Sequence, residues 1–423
     1  MIKKLRNSSL IRNSGIYTFA NIINSAIPFF LLPILTVYLT PTDYGIVSMF
    51  GVLIGIVLPF MGLNSNASIS RKFYDEDKDF SVYLSTALYI LVASSFAVLL
   101  IFLIFSDVIS ELSAFPQQYL LIVVVAGLGN SLIQITLTLW RVREKPILFG
   151  IFQISQTIMN VSVSLLLVVG LSQGWQGRVN GQVIAILLFA IIGIIIVIKR
   201  ERVGFTYNNA YAKDIVSYGV PLIPHALGAF LITMTDRIFI TNMIGVGETG
   251  IYTVAYQIGM IIQLLQDSFN KAWIPYLFSN LKKGTDQIKV KIVKISYIYF
   301  ILIIIITLLL SLLAPYIVDI FIGEAFVDSV QFIFWISLGF AFNGMYKMIS
   351  GPIFYVKKTR ILSFLTFVTA ILNIIFNYWF IKWNGTLGAA QATTLSFFIT
   401  FILSWILAQR VYPMPWRMRV SKN

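Results

Sequence analysis

Long apolar runs recur along the whole chain and are separated by short polar stretches. A helix that crosses a bilayer needs about 20 mostly apolar residues, and twelve stretches of the sequence reach that length. Six of them lie near residues 15–39, 44–62, 82–106, 117–139, 147–171 and 179–198. The other six lie near residues 215–243, 249–268, 293–318, 329–349, 361–381 and 385–408. The pattern predicts an all-α polytopic membrane protein with twelve transmembrane helices.

The two halves of the chain share a short internal echo. The stretch "TPTDYGIVSMF" (40–50) and the stretch "GVGETGIYTVA" (245–255) both place an acid, one residue and Gly-Ile at the start of a span. Asp43 and Glu248 suit the first turn of a helix, where the backbone dipole favours an anion. Six spans per half insert the same way up, so we expect two six-helix lobes, 1–205 and 206–423, related by a pseudo-twofold axis along the membrane normal.

Composition and charge agree with this prediction and orient it. The chain is 58% hydrophobic and 11% charged, whereas soluble domains are about 25% charged. Of its 31 lysines and arginines, 28 fall on one side of the predicted spans, only Arg178 and Lys382 fall on the other, and Arg237 lies within span seven. Basic loops face the cytoplasm, so both termini are predicted to be cytoplasmic. The net charge of +14 therefore indicates attraction to anionic lipids rather than nucleic acid.

Two features of the sequence exclude certain sites and segments. The sequence has no cysteine, which excludes disulfides, thiol nucleophiles and cysteine metal sites. The basic N-terminus is followed by a full span rather than a short apolar segment with a cleavage site, so we expect no cleaved signal peptide.

Polar residues form stripes at helical spacing on several spans. Asn130, Gln134 and Arg141 share one face of span four, and Gln153 and Asn160 share one face of span five. Isolated amides in membranes are commonly explained by hydrogen bonds between helices. Repeated stripes favour a water-accessible cavity between the lobes that offers neutral donors and acceptors to a sugar. The residues predicted to line it are Asn130, Gln134, Gln153, Asn160, Tyr256 and Gln263.

Span seven carries two adjacent charges, Asp236 and Arg237. A charge at the bilayer centre costs about 2.5–3.5 kcal/mol on insertion scales, so such residues suggest function. Adjacent helical side chains point about 100° apart, which disfavours an ideal ion pair. Arg237 could extend to the outer headgroups, but a short Asp236 has to face protein or water.

Two further residues carry hypotheses about coupling and charge. His225, the only histidine, shares a face with Asp236 if span seven is straight, and Pro221 and Pro224 argue against a straight helix. His225 and Asp236 are therefore candidates for proton or ion coupling, and a histidine bonded to a backbone carbonyl is the alternative. Lys347 lies near the inner end of span ten and either binds substrate or extends to the cytoplasm.

The stretch "TMTDRIFITNMIGVGETGIYTVAYQIGMIIQLLQDSFNKAWIPYLF" (233–278) resembles the polysaccharide transporter branch of the MATE-like (MOP) superfamily. The resemblance rests on Asp236, Arg237 and Ile238, followed by Gly250, Ile251, Tyr252 and Ala255. It is closest to the O-antigen-type flippases.

The resemblance implies a flippase that moves an undecaprenyl-diphosphate-linked oligosaccharide across the bacterial inner (cytoplasmic) membrane. Arg237, Lys347 and Arg141 would supply positive charge to the diphosphate, and Asp236 would hold Arg237 or a coupling H⁺ or Na⁺. Membrane lipids and other polysaccharide assembly proteins are the expected partners. No enzyme activity, cofactor, metal or nucleic acid is expected.

Three other functions are alternatives to a flippase for a lipid-linked oligosaccharide. A drug or cation antiporter of the same fold needs acids within the membrane, and only Asp236 qualifies, beside Arg237. A membrane-bound polymerase or glycosyltransferase needs a catalytic cluster, and the short outer loops hold none. Export of a teichoic-acid-type precursor is not distinguished from O-antigen transport by the sequence. The chain has no phosphate-binding glycine loop, which argues against direct use of ATP.

Overall fold

The computed structural model describes residues 9–75 and 79–417, without the side chains of residues 9–14, 18, 19, 21, 22, 25, 26, 28, 229 and 359. All regular structure in these ranges is helical. The first half contains α1 (Ser9–Tyr38), α2 (Pro41–Val57), α3 (Ser65–Lys72), α4 (Phe80–Ile104), α5 (Ser106–Ser113), α6 (Leu120–Val142), α7 (Pro146–Leu165) and α8 (Gly174–Glu201). The second half contains α9 (Asn209–Gly219), α10 (Ile223–Met243), α11 (Val246–Leu281), α12 (Asp286–Phe321), α13 (Val330–Tyr355), α14 (Thr359–Asn384) and α15 (Thr386–Val411).

The helices confirm a polytopic membrane protein. Among the described residues, eight helices are long and apolar enough to cross a bilayer, or ten if each of two bent pairs forms one span. The other two predicted spans correspond to α1 and α11. Within the described part of α1, Phe29–Tyr38 is a short apolar helical segment. The helix α11 carries a polar stripe that lowers its mean hydropathy. The count of twelve spans is therefore consistent with the helices but stays a prediction.

Each bent pair has a local feature that interrupts its helix. The chain bends by 55° between Pro41–Val57 and Met61–Lys72, where Gly62, Leu63 and Asn64 all adopt left-handed backbone angles. It bends by 50° between Asn209–Gly228 and Phe230–Met243, after the two prolines at 221 and 224. The second bend agrees with the expectation that span seven is not straight.

The chain divides into two compact units, Met1–Phe230 and Leu231–Asn423. The division falls within α10 rather than at the predicted lobe boundary between 205 and 206, which stays a prediction. Local contacts explain why the residues that follow the predicted boundary belong to the first unit. Arg71 on α3 donates two hydrogen bonds to the Asp214 carboxylate on α9 at 2.7 and 2.5 Å, and the Tyr83 hydroxyl donates to the same group at 2.8 Å.

In the N-terminal unit, the start of α2 has the predicted acidic cap. The Asp43 carboxylate accepts from the backbone N–H of Thr40 at 3.0 Å, and the Thr40 hydroxyl accepts from the Asp43 backbone N–H at 3.1 Å. This reciprocal pair is a capping box that satisfies two donors at the helix start. Glu248 holds the equivalent third position of α11, so the echo between the halves reflects two similar helix starts.

The C-terminal unit packs closely through small residues on α13 and α15. A side chain at Gly388 would meet the Phe380 carbonyl oxygen at 2.0 Å, and one at Gly339 would meet the Cα of Thr394 at 3.4 Å. Ala389, Ala390 and Ala392 are also fully buried. Small residues allow helix backbones to approach where no hydrophobic effect operates between helix and lipid.

Candidate functional site

A cleft of about 370 Å³ lies within the N-terminal unit, between α1, α6 and α7, and contains three predicted site residues. It is lined by Tyr17, Gln134, Leu137, Arg141, Phe149 and Gln153. Helical periodicity predicted a polar stripe on α6 and another on α7. The two stripes meet in this cleft. The cleft combines one cation, two amides and two aromatic rings.

The polar groups of this cleft are available to a ligand. The Arg141 guanidinium lies 5.6 Å from the centre of the Phe149 ring and forms no ion pair with any described residue. The side-chain oxygen of Gln153 is buried and has no hydrogen-bond partner in the described part of the chain. A buried acceptor without a partner is rare in proteins, and a sugar hydroxyl could supply the missing donor. Tyr17 and Phe149 meet edge to face at 5.1 Å.

Asn160 lies outside this cleft and holds a different arginine. Its side-chain oxygen accepts a hydrogen bond of 2.7 Å from Nη1 of Arg178, which also donates to the Ser164 hydroxyl at 2.7 Å. The charge pattern placed Arg178 on the outer side of the predicted spans, next to span six, and the structure places it in the first turns of α8. Asn130 is half-buried on α6.

In the C-terminal unit, Asp236 and Arg237 form the centre of a buried polar group. Only 2% of Asp236 and 4% of Arg237 is exposed. Nη1 of Arg237 lies 3.3 Å from Oδ1 of Asp236 and donates to the Thr233 carbonyl at 3.0 Å. The Tyr252 hydroxyl donates to Oδ2 of Asp236 at 2.6 Å, and the guanidinium lies 4.1 Å from the centre of the Tyr256 ring.

Helical spacing disfavours contact between these adjacent side chains, and extension to the outer headgroups is one alternative for Arg237; the structure contradicts both. The adjacent side chains do meet, because helical side chains tilt toward the N-terminus and the long arginine reaches back over the preceding turn to Thr233. The guanidinium is buried among Tyr252, Tyr256 and Asp236, so it does not extend to outer headgroups. The pair is neutral as a unit, and the hydrogen bonds from Tyr252 and to Thr233 offset part of the cost of burying the two charges.

The other predicted residues of the C-terminal unit lie along α11 and α13. The Lys347 ammonium bonds the Asp267 carboxylate at 2.6 Å, and the neighbouring Gln266 donates to the Asn343 side chain at 3.4 Å. Lys347 therefore bridges α13 to α11 instead of reaching toward the cytoplasm unpaired. Gln263 is half-buried one turn before Asp267.

His225 is exposed and precedes the bend at residue 229, whereas the buried Asp236 follows it. The straight helix that would place both residues on one face is absent. Their joint role in coupling stays a prediction, without support from a shared helix face.

Sequence reasoning did not single out four residues that hold these groups together. Tyr252 was visible as part of the α11 stripe, one turn before Tyr256. Asp267 and Phe149 were not named, and Arg178 was named only as a cation on the predicted outer side. A signal was present for Arg178, since it lies on the opposite side from 28 other cations.

Comparison with known proteins places the chain in a family. The family described as "Polysaccharide biosynthesis protein" matches residues 10–281. The capsular polysaccharide biosynthesis protein CapF of Staphylococcus aureus is 23% identical over 415 residues, which are 95% of this chain and 100% of that protein.

Two solved structures have a similar fold. A lipid II flippase MurJ in an inward closed conformation superposes with a TM-score of 0.77 at 16% identity, covering 94% of this chain and 87% of that one. An inward-facing multidrug resistance MATE family transporter of the MOP superfamily superposes with a TM-score of 0.73 at 13% identity, covering 93% and 94%. Both are transport proteins rather than enzymes.

Proposed function

Because the chain belongs to the polysaccharide biosynthesis protein family, we propose that it is a flippase for an undecaprenyl-diphosphate-linked oligosaccharide, an O-antigen or related repeat unit. It moves this substrate from the inner to the outer leaflet of the bacterial cytoplasmic membrane by alternating access. Both termini lie in the cytoplasm, and the prenyl tail stays in the lipid while the polar head crosses. This orientation rests on the distribution of lysine and arginine.

The observation that carries this proposal is the cleft of the N-terminal unit. A diphosphate requires a fixed cation, and an arginine can contact it with two parallel hydrogen bonds. Arg141 is exposed and offers such a guanidinium, which forms no ion pair among the described residues. The amides of Gln134 and Gln153 suit sugar hydroxyls, and the face of Phe149 suits the apolar side of a sugar ring.

The same cleft argues against a drug or cation antiporter. No acidic residue lines it, and Arg141 would repel a cationic drug. Among the described residues, no group of three or more His, Cys, Asp or Glu side chains could hold a metal ion. A teichoic-acid-type precursor carries the same kind of lipid anchor, so it competes with O-antigen as the substrate of this proposal.

In this proposal Asp236 couples transport to H⁺ or Na⁺. Its carboxylate is neutralised by Arg237 and held by the Tyr252 hydroxyl, so binding of a cation there has to displace one of these partners. Displacement would free Arg237 to contact the substrate. Lys347 and Asp267 offer a second pair of this kind, in which a phosphate could replace the carboxylate.

The test is transport of lipid-linked oligosaccharide by the purified chain in proteoliposomes. Arg141→Gln removes the cation of the cleft, and we expect a loss of about tenfold or more in rate, the worth of one charge-assisted hydrogen bond. Lys145→Gln changes an exposed lysine in the same connection and should leave the rate unchanged. Equal rates for wild-type protein and Arg141→Gln would reject the cleft as the substrate site.

A further inference from the structure

Arg178 is a cation that no predicted role explains. It lies on α8, is half-buried, and forms no ion pair with a carboxylate in the described part of the chain. Asp43 lies beside Gly174 at the start of this helix, and one oxygen of its carboxylate is engaged by Thr40. A partly buried arginine without a counter-ion is costly, so its retention needs a reason.

The hydrogen bonds of Arg178 orient it without using its binding edge. Only Nη1 is occupied, by Asn160 and Ser164. The Nε and Nη2 groups have no partner among the described residues. These two parallel donors form the edge that contacts a carboxylate or phosphate with two hydrogen bonds. The side-chain NH₂ of Asn160 has no hydrogen-bond partner among the described residues either.

Arg178 and the cleft at Arg141 are connected by one helix face. Gln153, which lines the cleft, and Asn160, which holds Arg178, are seven residues apart on α7. Seven residues are two helical turns and about 10 Å, so their side chains share a face. A polar stripe therefore runs from Arg141 at the cytoplasmic end of α6 to Arg178 at the opposite end of α8.

We infer that Arg178, oriented by Asn160 and Ser164, forms a second anion-binding position in the N-terminal unit, which receives the diphosphate of the lipid-linked substrate after it leaves Arg141. This inference rests on the proposed function. Two positions of moderate affinity along one stripe allow the anion to leave at either end, whereas a single position of high affinity would retain it. The free Nε and Nη2 edge supplies the contact, and the amides between the arginines solvate the group during transfer.

Direct binding of inorganic pyrophosphate to the full chain in neutral-lipid nanodiscs tests the site. Arg178→Gln should weaken the pyrophosphate binding that depends on this position by about tenfold. Arg141→Gln should weaken pyrophosphate binding at the cleft, and the double variant should lose binding at both positions. Lys382→Gln, which removes the other cation on the predicted outer side, should bind as the wild-type chain does.

Transport separates this inference from the proposed function. Arg178→Gln should slow transport of the lipid-linked oligosaccharide about tenfold, and inorganic pyrophosphate should inhibit it less than it inhibits the wild-type chain. If the wild-type chain moves no oligosaccharide but Arg178→Gln still loses pyrophosphate binding, the proposed function fails and the anion position stands.

Arg178→Lys controls for folding. It keeps the charge but lacks the parallel donors, so it should fold with the wild-type melting temperature and bind pyrophosphate between the wild-type and glutamine values. Wild-type pyrophosphate binding in both Arg178 variants would overturn the inference. So would an equal loss of binding in both, matched by an equal fall in melting temperature, since that outcome indicates a packing role.

Discussion

Arg237 and Asp236 are buried because they satisfy each other and their neighbours. The carboxylate receives hydrogen bonds from Tyr252 and from Arg237, and the guanidinium bonds a carbonyl of the preceding turn and stacks on Tyr256. These contacts occupy both carboxylate oxygens of Asp236 and Nη1 of Arg237. Such a network stabilises one arrangement, and losing a single member leaves a charge without compensation.

The first prediction concerns this pair. Asp236→Asn leaves Arg237 buried without a counter-charge, which should destabilise the protein by about 3–5 kcal/mol and reduce transport or change its pH dependence. Arg237→Lys keeps the charge but loses the planar donors, and we expect transport to fall about tenfold or more. Transport of lipid-linked oligosaccharide in vesicles, at matched protein abundance, measures both effects.

The melting temperature of the same variants separates two roles for Arg237. If Arg237 only anchors the helix, Arg237→Lys should lower the melting temperature and the transport rate together. A residue that contacts the diphosphate should lower transport while the melting temperature stays within the range of the wild-type protein. Full transport by the lysine variant would reject the binding role.

At the scale of elements, the kink at residues 62–64 packs closely against the end of α9. A side chain at Gly219 would lie 1.9 Å from the Leu63 carbonyl oxygen. The backbone at Leu63 is left-handed, so it has little freedom to move away. The segment that joins the two halves is thus seated on the first bent span, next to the Arg71–Asp214 pair.

The second prediction follows from this contact. Gly219→Ala should destabilise the protein by about 1–3 kcal/mol, the usual cost of overpacking, because a backbone carbonyl cannot yield as a flexible side chain does. Gly228→Ala is the matched control, since a side chain there meets nothing within 4 Å. Thermal unfolding of both variants in detergent measures the difference. Equal melting temperatures would show that the two segments do not pack as described.

At the scale of the whole molecule, the lopsided distribution of basic residues predicts the orientation of every helix. Each connection that is predicted to be cytoplasmic carries several lysines or arginines, and a miscounted span would mix the two sides. The described helix ends give positions at which this orientation can be tested. Lys145 lies between α6 and α7, and Gln173 directly precedes α8.

The third prediction is therefore topological. Reporter fusions at Lys78, Lys145, Ser279 and the C-terminal tail should report the cytoplasm, and fusions at Ser113, Gln173 and Val327 should report the outside. Lys78 lies outside the described residues, so the other positions carry the comparison with the structure. Two or more inverted reporters would contradict the twelve-span arrangement.

The sequence by itself determined the helices and the features that depend only on neighbours along the chain. An apolar run of 20 residues has to be helical in a bilayer, because no water can satisfy its backbone. The acidic helix starts at Asp43 and Glu248 and the proline-linked bend in span seven are local in the same sense. The polar stripes of α6 and α7 were likewise readable, because a period of 3.6 residues marks one face of a helix.

Only the tertiary structure decided which groups meet across helices. Periodicity identifies a polar face but not the side chain opposite it, so the pairs Arg178–Asn160, Lys347–Asp267 and Tyr252–Asp236 could not be derived. The left-handed residues at 62–64 were hidden for a related reason, since two of the three are not glycine and their backbone angles depend on the surrounding packing. The pairing of Asp236 with its neighbour likewise depended on how far an arginine bends back, which helical spacing alone does not state.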